Sequence, residues 1–186
     1  MKIYVKNMAC QSCVLFVKDT LDDLDIPIVK IELGEIETKE DVSDNVKKKL
    51  DNNIKKAGME LLEKKQGVLI EKIKKVIIDY VNNFELQQDN NISDLLSKEL
   101  NHSYTYLSNL FSEVEVTTIE QYIIALKIER VKELIIFGED NFSEIAHKLN
   151  YSSAAHLSSQ FKKKTGLTLS HFKALKEKRR TTIQKI

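Results

Sequence analysis

Apolar positions in the first 66 residues switch between two periods. Ile3-Tyr4-Val5 is a short β-branched and aromatic run that reads as a strand, whereas residues 14, 15, 17, 21 and 24 are apolar at close to helical spacing. Pro27 breaks that helix, and Ile28 to Leu33 reads as a second strand. Gly34 marks a bulge or tight turn before an extended Glu35 to Thr38. Ser43 is placed to cap a helix running to about Lys56. Ala57-Gly58 ends it, and Met59 to Leu62 reads as a last edge strand. The order β-α-β(β)-α-β predicts a small ferredoxin-like sandwich.

Beyond Gln66-Gly67, the expected hinge, the strand signals stop. Residues 69, 70, 73, 76, 77, 80 and 81 put apolar side chains on one face of a helix from Val68 to Val81. A long helix is predicted from Thr118 to Phe137, on apolar positions 119, 123, 124, 126, 128, 131, 134 and 135. Shorter helices with Ser- and Asn-rich connections fill the remainder. The pattern divides the chain into 1–66 and 67–186, an α+β protein with a small ferredoxin-like domain followed by an all-α domain.

The all-α part repeats itself. Leu96-Ser97-Lys98-Glu99-Leu100-Asn101-His102-Ser103 is echoed by Ile145-Ala146-His147-Lys148-Leu149-Asn150-Tyr151-Ser152. Each is followed by a helix with Leu and Phe four apart, at Leu107/Phe111 and Leu157/Phe161. Leu-Asn puts a residue tolerant of left-handed φ where one helix must stop, and Ser103 or Ser152 is placed to cap the next. So short a turn forces a steep crossing, the geometry of a helix-turn-helix. Two such units are expected, about 92–113 and 142–164, joined by the 118–137 helix.

Residues 67–176 resemble the DNA-binding domain of AraC/XylS transcriptional regulators. The likeness rests on Ile145-Ala146, on Phe161-Lys162-Lys163-Lys164-Thr165-Gly166-Leu167-Thr168 and on Ser170-His171-Phe172-Lys173. Ile128-Glu129-Arg130-Val131-Lys132-Glu133-Leu134 resembles the family's linker helix, and Leu169 stands where proline is usual. The resemblance implies seven helices and two recognition helices that enter successive major-groove segments of double-stranded DNA.

Readout needs exposed polar or methyl-contacting groups near the start of a recognition helix. In the first unit these are Tyr104, Thr105, Ser108 and Asn109; in the second they are Ser153, Ala154, Ala155, His156, Ser158 and Ser159, with Gln160 nearby. Such small side chains lack the bidentate arginine that reads guanine, so modest, A·T-leaning readout supplemented by DNA shape is expected.

The formal net charge of +1 hides a marked asymmetry. From residue 142 onward ten basic side chains face two acidic ones, a net of +8, whereas residues 67–141 carry seven against thirteen, a net of −6. Phosphate attraction dominates affinity, so Lys162, Lys163, Lys164 and Lys173 mark the second unit as the anchor. Glu113 and Glu115 follow the first recognition helix where lysines follow the second. That end therefore reads as a weak DNA contact or as a docking place for a protein such as RNA polymerase.

Cys10 and Cys13 form a single C-x-x-C pair after the first strand. Asn7-Met8-Ala9-Cys10-Gln11-Ser12-Cys13 resembles the loop of heavy-metal-associated domains, over residues 1–66. Two thiolates so spaced suit a soft ion such as Cu(I), with Met8 as a further ligand. A motif retained without use and a redox dithiol are the other readings. No catalytic constellation is present, and no apolar run approaches the ~20 residues of a membrane span. The expectation is a cytoplasmic DNA-binding regulator, not an enzyme, requiring no cofactor and modulated by a soft metal. The alternative is a metal chaperone or scavenger whose helical part docks proteins.

Overall fold

The computed structural model describes residues 1–137 and 140–175. Glu139 and the basic positions 176, 178, 179, 180 and 185 of the charge argument lie outside the described residues. In chain order the elements are β1 (Lys2–Lys6), α1 (Gln11–Asp23), β2 (Ile28–Glu32), β3 (Glu35–Thr38), α2 (Asp44–Lys55) and β4 (Glu60–Leu61). Helices follow: α3 (Lys64–Asn82), α4 (Phe84–Asp89), α5 (Ile92–Leu100), α6 (Tyr104–Glu115), α7 (Ile119–Phe137), α8 (Phe142–Lys148) and α9 (Ala154–Thr165). Residues 169–175 are also helical. Among the described residues the short α4 thus comes in addition to the seven helices that the resemblance implies.

The chain folds as two compact units, the first comprising Met1–Val76 and Ser93–Ile119, the second Ile77–Ile92 and the described residues from Glu120 onward. This division differs from a cut at residue 66. Gln66 and Gly67 are no hinge; both lie inside α3. Glycine is needed there for a packing reason, since a Cβ on Gly67 would come within 2.8 Å of the Tyr4 ring.

In the first unit, four strands form an antiparallel sheet ordered β2-β3-β1-β4. Ile3, Val5, Met8, Val14, Val17, Leu21, Ile36, Leu50, Ile54 and Met59 fill the core between the sheet and helices α1 and α2. Gly34 makes a tight turn, not a bulge: Glu32 pairs with Glu35, and Gly34 has φ +78°. The sheet part also packs on the first helix pair, through β1 against α6.

In the second unit, Ile128, Val131, Ile145, Leu149, Leu157, Phe161 and Leu169 form one cluster that ties α7, α8 and α9 together. Leu169 sits in this core, where the resembled family has proline; its buried side chain supplies packing in place of a rigid turn.

Candidate nucleic-acid interface

The two helix-turn-helix units share a local mechanism. Asn101 (φ 54°) and Asn150 (φ 52°) hold the left-handed conformation that ends the first helix of each pair. At the second turn the Asn150 N–H donates to the His147 carbonyl and the Tyr151 N–H to Ala146, closing the two-bond motif that satisfies a helix C-terminus. Ser103 Oγ then accepts from the Tyr106 N–H and opens α6. The equivalent cap on α9 is Ser153, which accepts from the His156 N–H at 3.1 Å; Ser152, the expected cap, instead contacts the His156 ring at 3.0 Å. Leu107, Phe111, Leu157 and Phe161 are fully buried, so each second helix is fixed through one face.

The opposite faces carry the expected residues. On α6, Thr105 and Asn109 are exposed and Tyr104 and Ser108 half-buried; on α9, Ala155, His156 and Ser159 are exposed, and Ala154 and Ser158 half-buried. The cap Ser153 is exposed as well. Counting from the two caps shows that Tyr106, absent from the sequence-based set, occupies the place of His156, and its side chain is 40% exposed. Gln160 is occupied, accepting from the Tyr151 hydroxyl at 2.6 Å. The repeat could have revealed Tyr106 had the two units been aligned on their capping serines.

Charge separates the faces. Lys162, Lys163 and Lys164 are exposed along the last turn of α9, and Lys173 is exposed on the helical stretch that follows. Lys164 donates to Gln121 Oε1 at 2.8 Å, which fixes its position beside the linker helix. Lys127 of α7 donates to the Leu149 carbonyl at 2.7 Å and lies 5.4 Å from the centre of the Tyr151 ring, bracing the turn of this unit. Burial lowers its ammonium pKa to about 8, and burial raises the Tyr151 phenol to about 12.

At the end of α6 the acidic pair is already used within the first unit. Lys6 Nζ lies 2.9 Å from Glu113, and Lys74 lies 2.7 Å from Glu115 and 3.6 Å from Glu35. The Asn7 N–H donates to the Glu113 carbonyl at 3.0 Å. A Cβ on Gly34 would come within 2.1 Å of the Val114 carbonyl oxygen. Three successive residues of the last turn are therefore held within the same unit, Glu113 and Val114 by the sheet part and Glu115 by Lys74 of α3. The reading of Glu113 and Glu115 as an open docking place for another protein is corrected accordingly. Sequence gives no sign of this contact, because Lys6, Gly34 and Lys74 are unremarkable until the chain brings them together.

Cys10, exposed, is the N-cap of α1, and Cys13 is half-buried; their sulfurs are 3.3 Å apart. The Cys13 backbone N–H and then the Cys13 thiol favour the thiolate and lower the Cys10 pKa from the ordinary thiol range. Met8 is fully buried in the apolar core, so in this conformation it is a packing residue and not a third ligand. Among the described residues no three His, Cys, Asp or Glu side chains gather into a metal-holding group. The pair fits only an ion content with two soft ligands.

Residues 96–174 match the helix-turn-helix domain family. The fold of the helical part is that of AraC-type DNA-binding domains, as solved structures show. The C-terminal domain of AraT, a response regulator from Geobacillus stearothermophilus, is 20% identical with a TM-score of 0.51, over 57% of this chain and 84% of that one. A transcriptional regulator from Chromobacterium violaceum, described by its AraC-type DNA-binding domain, is 16% identical with a TM-score of 0.53, over 61% and 96%. The DNA-binding domain of AdpA, a global transcriptional factor solved in complex with a target DNA, is 13% identical with a TM-score of 0.52, over 60% and 96%. No curated protein sequence matches the chain. Among the described residues no helix is long and apolar enough to cross a membrane.

Proposed function

We propose that the protein is a transcription regulator that binds double-stranded DNA, with the second helix-turn-helix unit as its anchor, and that it acts by binding and not by catalysis. The observation that carries this is the conjunction on α9 of a small, exposed leading face (Ala155, His156, Ser159) with three exposed lysines in the last turn. The first lets a helix approach base edges closely; the second supplies phosphate contacts. AdpA, whose domain has the same fold, was solved on its target DNA.

The test is duplex binding by the full chain as a function of salt, on a sequence obtained by in-vitro selection. Replacing Lys162 and Lys163 by Ala should lower the slope of log affinity against log salt by about 2, since each phosphate contact contributes ~0.9. Absence of any salt-dependent duplex binding at low ionic strength would sink the regulator reading. The metal chaperone or scavenger reading would then take its place.

For residues 1–66 we read the β1-α1-β2-β3-α2-β4 order, with strands arranged β2-β3-β1-β4, as a ferredoxin-like sandwich of the heavy-metal-associated kind. Cys10 and Cys13 would hold a soft monovalent ion such as Cu(I). The close thiol pair at a helix N-terminus supports this assignment. Equal Cu(I) stoichiometry in the native chain and in Cys10→Ser/Cys13→Ser would remove it.

A further inference from the structure

We propose that the first helix-turn-helix unit is the regulated one: the state of the Cys10/Cys13 pair sets how firmly α6 is held, through the contact between the sheet part and the C-terminal end of α6. The proposal rests on the reading that the two thiols take up a ligand, and names where its effect is delivered.

Three observations carry it. First, three successive residues of the last turn of α6 are gripped. The Glu113 carbonyl accepts from the Asn7 N–H, the Glu113 carboxylate pairs with Lys6, the Val114 carbonyl is pressed against Gly34, and the Glu115 carboxylate pairs with Lys74. The two lysines also place positive charge at a helix C-terminus, where it is favourable. Nothing larger than glycine fits at position 34, so the contact is specific in shape as well as charge.

Second, the path from the thiols to that grip is short and stiff. Asn7 precedes Cys10 by three residues, is held in the left-handed region at φ 62°, and ties its side-chain amide to the Gly58 carbonyl at 3.3 Å. Met8, between them, is fully buried in the core. Both residues are held, so the free stretch between the thiols and α6 is limited to Ala9. With exposed Ala9 alone between Met8 and Cys10, a shift of the loop is passed to the packed Met8 and to the Asn7 amide bonded to α6.

Third, α6 is a single rigid segment of 12 residues, about 18 Å long at ~1.5 Å per residue. A change of tilt at Glu113 is therefore felt at Thr105 and Asn109, the exposed groups of its leading half. In the second unit the last turn of α9 is tied to the linker helix through Lys164 and Gln121, and Lys162 and Lys163 are exposed. One unit is an anchor and the other a receiver.

The experiment is hydrogen exchange of the full chain in three states: reduced, with one equivalent of Cu(I), and with Cys10 and Cys13 joined by oxidised glutathione. In the last state the Cys10 thiolate displaces one glutathione thiolate and the Cys13 thiolate the other, so two electrons pass to glutathione. The sulfurs close from 3.3 Å to about 2.05 Å. Exchange of the Asn7 amide and of residues 111–116 should change by about threefold or more in either ligated or oxidised chain. The response should be lost in Cys10→Ser/Cys13→Ser and weakened in Lys6→Ala, whose thiols still bind or oxidise. Changes confined to the β1–α1 loop and the first turn of α1 would overturn the proposal, whether or not Cu(I) binds. If Cu(I) fails to bind, the metal reading falls and the disulfide arm still decides the coupling.

Discussion

Lys127 shows how a single residue can make one unit respond to pH. Its ammonium is half-buried against the Tyr151 ring and bonded to the Leu149 carbonyl. Burial lowers its pKa from 10.5 to about 8, so between these values the unfolded chain binds a proton that the folded chain has released. Stability contributed at this site therefore rises with pH from about 8 towards 10.5. Tyr151 acts in the other direction: its phenol is raised from 10.0 to about 12, so the unfolded chain ionises first and stability falls above 10. Chemical denaturation from pH 7 to 11 should show a rise followed by a fall. Lys127→Met should flatten the rise and Tyr151→Phe should lessen the fall, to which the Tyr4 and Tyr80 phenols, also raised by burial, add in the same direction; identical profiles in all three proteins would refute this assignment.

At the scale of the element, the two second helices are built alike but stopped differently. α9 ends at Gly166 with φ 76°, a conformation that glycine enters without steric cost. α6 ends at the matching position on Val116 with φ 54°, where a β-branched side chain is strained. The turn persists because the residues before it are bonded to Lys6, Asn7 and Lys74. Val116→Gly should raise thermal or denaturant stability by about 0.5–1 kcal/mol, the relief of ~1–2 kcal/mol of left-handed strain less the added freedom of the unfolded chain. A loss of stability would show that the valine side chain, 42% exposed, packs more than its exposure implies.

At the scale of the whole molecule, the first compact unit joins residues far apart in sequence: the sheet, the leading part of α3, α5 and α6. A fragment starting at residue 67 keeps both helix-turn-helix sequences but loses Tyr4, Lys6, Asn7 and Gly34. Its amides in α6 should exchange at least about tenfold faster than in the full chain, equivalent to ~1.4 kcal/mol of lost protection. Those of α8 and α9 should be unaffected, since their core of Ile145, Leu149, Leu157 and Phe161 lies within the second unit. Equal protection of α6 in fragment and full chain would mean that the sheet contributes nothing to holding it.

Much of this was legible in the sequence because it depends on neighbours along the chain. The apolar period, the left-handed asparagines at 101 and 150, the cap at Ser103 and the buried Leu-Phe pairs are local rules, and they placed both helix-turn-helix units, with the second cap one residue later than expected, at Ser153. Local rules failed where residues act at a distance. Gly67 read as a hinge because glycine breaks helices, yet it is a helical residue kept small by the Tyr4 ring. Met8 read as a ligand because it neighbours two thiols, yet burial claims it for the core. Glu113 and Glu115 read as an open acidic surface, yet they meet Lys6 and Lys74, more than a hundred and about forty positions away. The sequence by itself determined two helix-turn-helix units and the greater positive charge of the second. Only the tertiary structure decided that the first is gripped by the sheet, because charge pairing and close backbone approach depend on which distant residues folding brings together.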